Sequence, residues 1–111
     1  MKNVFTSNHA VESMHSRLKT PRQDADAQAL EALDKGMPRE ETGGHLRRFI
    51  DSKYFDYDRT GKFVVQRNFL WIFSRGSILI TCYPIPGHLV PDVRLQTEKW
   101  EKRRTAKTVI V

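Results

Sequence analysis

Two histidines and an arginine stand close together near the start of the chain, in the run His9-Ala10-Val11-Glu12-Ser13-Met14-His15-Ser16-Arg17. Imidazole exchanges protons near neutral pH, and guanidinium keeps its charge throughout. Together they suit proton transfer on a phosphodiester. Such a transfer needs a base at the attacking hydroxyl, an acid at the leaving oxygen and positive charge around the phosphorane. His9 and His15 are the candidates for acid and base, either one in either role. Arg17, with Lys62, Arg67 and Arg75 further along, is the candidate source of charge. Thr81 and Tyr83 are candidate hydrogen-bond donors and alternate onto one face of a strand. The remaining histidines, His45 and His88, fall near predicted loops and are weaker candidates.

The elements that must position these groups are readable from periodicity. Asn3–Thr6 reads as a short strand. Ser7 or Asn8 then caps a helix, with Glu12 near its positive end. Val11, Met14 and Leu18 predict its buried stripe, His15 flanks that stripe, and His9, Ser13 and Arg17 share another face. Thr20-Pro21 marks a restart, and Ala25, Ala29, Leu30 and Leu33 carry a second helix that Gly36 ends. Met37–Gly44 reads as a polar connection, and Leu46, Phe49, Ile50 and Tyr54 space a third helix.

From Lys62 the period changes to that of strands. Phe63–Gln66, Phe69–Phe73 and Ser77–Tyr83 are rich in β-branched and aromatic residues, punctuated by Arg67-Asn68 and Arg75-Gly76. The middle run is apolar at every position, which suits a central strand covered on both faces. Pro84 and Pro86 stop the sheet. Pro91-Asp92 opens a last helix to about Arg104, with Val93, Thr97 and Trp100 on one side. Lys99, Lys102, Arg103, Arg104 and Lys107 make this tail basic and a candidate nucleic-acid-binding element. The expected architecture is α+β: an N-terminal strand, then two or three helices on one face of an antiparallel meander, then a basic helix or tail. One domain spans residues 1–111, with its core in 3–84 and a basic extension in 88–111.

Composition narrows the classes. Nineteen Lys and Arg against thirteen Asp and Glu give a formal net charge of +6, which attracts polyanions, nucleic acid first. A single cysteine, Cys82, excludes an intramolecular disulfide and a thiolate metal cage. No His pair has i, i+4 spacing, so neither metal nor cofactor is expected. The apolar runs are too short to cross a bilayer, and Met1–Phe5 does not read as a signal peptide. A cytoplasmic location is the expectation.

The order of elements resembles the small α+β ribonuclease-toxin superfamily that groups barnase, colicin nucleases and RelE-type toxins. The nearer likeness is to a compact branch in which a strand leads into a helix of pattern HAxxRxxxR and the sheet ends on ITxY. Here those motifs stand as His9 to Arg17 and as Ile80-Thr81-Cys82-Tyr83, and the likeness covers residues 3 to about 84. Ser13 replaces the arginine of mid-motif, and His15 is an added histidine. The resemblance implies metal-independent RNA cleavage and an acidic antitoxin or immunity protein as partner. Two rival expectations stand beside it. One is a non-catalytic phage or mobile-element protein that docks on nucleic acid or a host protein. The other is an assembly protein that associates through its sheet edge and tail.

Overall fold

The computed structural model describes residues 5–54, 61–75 and 77–109, with side chains through residue 104. In chain order the elements are β1 (Phe5–Thr6), α1 (Asn8–Leu18), α2 (Ala25–Lys35), β2 (Met37–Pro38), α3 (Gly44–Tyr54), β3 (Lys62–Gln66), β4 (Phe69–Phe73), β5 (Ile78–Pro84) and α4 (Val90–Val109). The fold is α+β. The strands form one mixed sheet in the order β1-β5-β4-β3-β2. The β2-to-β5 pairs are antiparallel, and β1 lies parallel to β5. Arg67 and Asn68 make the β3–β4 turn with φ of 55° and 60°, the left-handed pair that a two-residue hairpin requires.

Helices cover both faces of this sheet, which corrects the expectation of a single covered face. Successive residues of a strand point to opposite sides. Val64, Trp71, Phe73, Leu79 and Cys82 pack with Ala10 and Met14 of α1 and with Ala29 and Leu33 of α2. Phe63, Val65, Leu70 and Ile72 face the other way, against Leu46 and Ile50 of α3 and Val93 and Trp100 of α4. The chain changes face at β2, the far edge strand, whose Met37 and Pro38 pair with Val65 and Val64. That strand and a 3-10 turn at Arg39–Glu41 occupy the predicted polar connection.

Two further expectations change. The predicted extension is not an appendage over its described part: Leu89, Val93 and Trp100 are buried in the second cluster, so α4 is a structural layer. In α1 the buried positions are Ala10, Ser13 and Met14, while Val11 and Leu18 are only partly covered. Ser7 fixes this rotation. Its hydroxyl accepts from Ala10 N at 3.1 Å and donates to the Ile80 carbonyl at 3.2 Å, pinning the start of the helix to β5. Small side chains at positions 10 and 13 then let the helix sit close to the strand. Glu12 lies beyond the first turn, which carries no acidic residue. Asn3, Gly76 and the side chain of Lys107 lie outside the described residues.

Candidate nucleic-acid interface

The free edge of β5 is where groups from separate layers meet. β1 pairs with Ile78 and Leu79, and among the described residues the rest of β5 has no strand neighbour on that side. An open strand edge exposes unpaired backbone groups. Side chains of the α1 segment satisfy two of them here: Ser7 caps the Ile80 carbonyl, and the Arg17 guanidinium donates to the Cys82 carbonyl. Arg17 reaches it because it follows Ser13 by one turn on the sheet-facing side of α1.

The same guanidinium lies 5.4 Å from the centre of the Tyr83 ring. Lys53, in the last turn of α3 on the other side of the sheet, brings its ammonium to 4.8 Å from that ring. Two cations from opposite helical layers therefore converge on one tyrosine. Among the described residues no carboxylate bridges either of them. Cation–π attraction of about 0.5–1 kcal/mol per contact at a partly exposed site helps to hold them there. An ammonium and a guanidinium gathered around one ring present N–H donors and positive charge, which is the chemistry of a phosphate cradle.

The other sequence candidates are not drawn into this group. His9 and His15 are both exposed, and six residues of helix turn them about 120° apart around the α1 axis. His15 places Nδ1 3.3 Å from the Thr20 carbonyl, toward the α1–α2 connection. The expected pairing of two imidazoles across one phosphodiester is thus not formed. Thr81 shares the Tyr83 side of β5, since their partners Ile72 and Leu70 both belong to the second cluster. Its side chain is sealed in the interior at 1% exposure, with no hydrogen-bond partner for the hydroxyl. It cannot reach a ligand at the edge.

The predicted cations disperse as well. Lys62 pairs across the sheet with Phe73, and Arg75 sits in the β4–β5 turn; both lie at the opposite end of the strands from Tyr83. Arg67 bridges Glu31 of α2 at 3.2 Å. On α4, Arg103 bridges Glu41 at 3.1 Å and Arg104 lies 4.4 Å from the Trp100 ring. Lys99 and Lys102 are exposed on that helix. Lys53 escaped the sequence reading. Its position in the last turn of a helix was visible, but nothing local tells which strand such a helix crosses.

Cys82, between the two halves of the site, is no nucleophile. Burial pushes its thiol up from 9.0 to about 11, with Arg17 pulling weakly the other way. Among the described residues no three His, Cys, Asp or Glu side chains group as metal ligands would, and no helix is long and apolar enough to cross a membrane. Comparison of the chain with protein-family models, with curated proteins and with solved structures finds no match.

Proposed function

We propose that the protein binds RNA, with phosphates held at the free edge of β5 by Arg17, Lys53 and Tyr83. The observation that carries this reading is the approach of two cations from opposite layers to one tyrosine ring. A net charge of +6 supports it, because such a surface concentrates polyanions around the site. Arg17 spends one contact on the Cys82 carbonyl, and a guanidinium has donors left over for phosphate. An acidic protein partner covering the same edge would compete with RNA there.

Fluorescence anisotropy with a labelled single-stranded RNA, in excess chelator and at several salt concentrations, tests the reading. Arg17→Gln and Lys53→Gln each weaken binding, and each lowers the log–log salt slope by about 0.7, one phosphate contact on a single strand. A His9→Ala, His15→Ala double variant binds within about twofold of the parent, because neither imidazole belongs to the cradle. Unchanged slopes in both cation variants sink the proposal.

A second reading, cleavage of the bound RNA, has one specific support. Arg17 and Tyr83, which end the two motifs of the toxin-like resemblance, are far apart in the chain yet meet at this edge. Arg17 and Lys53 would stabilise the phosphorane, the Tyr83 hydroxyl would protonate the leaving 5′-oxygen, and solvent would take the 2′-hydroxyl proton as that oxygen bonds to phosphorus and the bond to the 5′-oxygen breaks. Products ending in a 2′,3′-cyclic phosphate, made in chelator by the parent and lost in Tyr83→Phe, support cleavage. Intact RNA after incubation with the parent leaves binding alone.

A further inference from the structure

At the opposite edge of the sheet a cleft of about 540 Å³ opens between the end of α2, the β3–β4 turn and the first turns of α4. Its size falls within the range of small-molecule sites. Met37, Val65 and Val93 form its floor, each buried to within a few per cent, so an apolar body resting there sheds its own water against a floor that is already dry.

The walls differ in charge. Lys35 and Arg67 stand on one side, and the bridge from Arg67 to Glu31 places both cations along one flank of α2, since Glu31 and Lys35 are one turn apart. The α4 wall carries Glu98 and Glu101 beside Arg94, a net negative side. Glu31 offsets Arg67, so the α2 wall keeps the single positive charge of Lys35 against the net negative α4 wall, and an anion is favoured on the Lys35 side.

We infer that this cleft binds a small organic anion: an apolar, ring-sized body over Met37, Val65 and Val93, with a carboxylate or sulfonate on the side of Lys35 and Arg67. The site is separate from the RNA-binding edge, and the inference does not depend on it.

Anilinonaphthalene sulfonate has this chemistry and reports its own burial by fluorescence. Titrated into the full chain, it shows saturable enhancement at one equivalent while the near-ultraviolet circular dichroism stays native. Lys35→Glu weakens it about tenfold, and Val90→Trp, which fills the mouth of the cleft, abolishes it. A cationic naphthylamine probe binds the parent more weakly and gains in Lys35→Glu. Absence of saturable binding overturns the inference, as does equal affinity in Lys35→Glu. Tighter binding of the cationic probe by the parent overturns the choice of anion.

Discussion

At the residue scale, side-chain type announces chemistry and burial decides whether it is used. Arg17, Tyr83 and Thr81 were all legible as candidates from type and spacing. Arg17 and Tyr83 meet, whereas Thr81 is enclosed because α3 and α4 cover the face it shares with Tyr83. Cys82 gives a titration at this scale. Its thiol is raised to about 11 in the fold, so the native state holds the proton more tightly than the unfolded chain does. Its contribution is complete below pH 9.0, the ordinary thiol value, and is lost as pH rises toward about 11. Urea midpoints measured across that window fall for the parent and fall less for Cys82→Ala. Equal slopes would contradict the burial of the thiol.

At the element scale, two positions show how the layers are held. Gly36 ends α2 with an extended φ of −70°, so backbone strain does not require glycine there. Space does: a Cβ would sit 2.5 Å from the Ala32 carbonyl and 3.1 Å from Val64. Gly36→Ala is expected to destabilise the protein by about 1–3 kcal/mol in chemical denaturation, since neither backbone nor sheet can yield cheaply. Trp100 anchors α4 at 8% exposure in the second cluster. Trp100→Ala is expected to cost about 3–5 kcal/mol, the range for emptying an aromatic site in a core. If the helix were a loose basic tail, the same change would fall within about 0.5 kcal/mol. The helix boundaries were largely readable, because caps, prolines and periodicity are local signals. The edge strand β2 was not, because two residues carry no period and owe their pairing to Val64 and Val65.

At the scale of the whole molecule, three layers share one sheet, and each face of that sheet needs its helices. Thermal unfolding is expected to be a single transition, coincident in far- and near-ultraviolet circular dichroism, and a chain ending at residue 87 is expected to show no cooperative transition. Two separable transitions, or a cooperative short chain, would show that α4 is dispensable. By itself the sequence determined the α+β class, the three long strands and the Arg67-Asn68 turn, four helical segments and a net positive charge. It even held the sign of two covered faces, in the unbroken apolar run Phe69–Phe73. Tertiary structure alone decided which helices lie on which face, how α1 is rotated over β5, and that Lys53 joins Arg17 at Tyr83 while His9 and His15 part. The reason is physical: period and caps are set by neighbours along the chain. The rotation and placement of a helix are set by Ser7 gripping Ile80 and by packing against strands some seventy residues away.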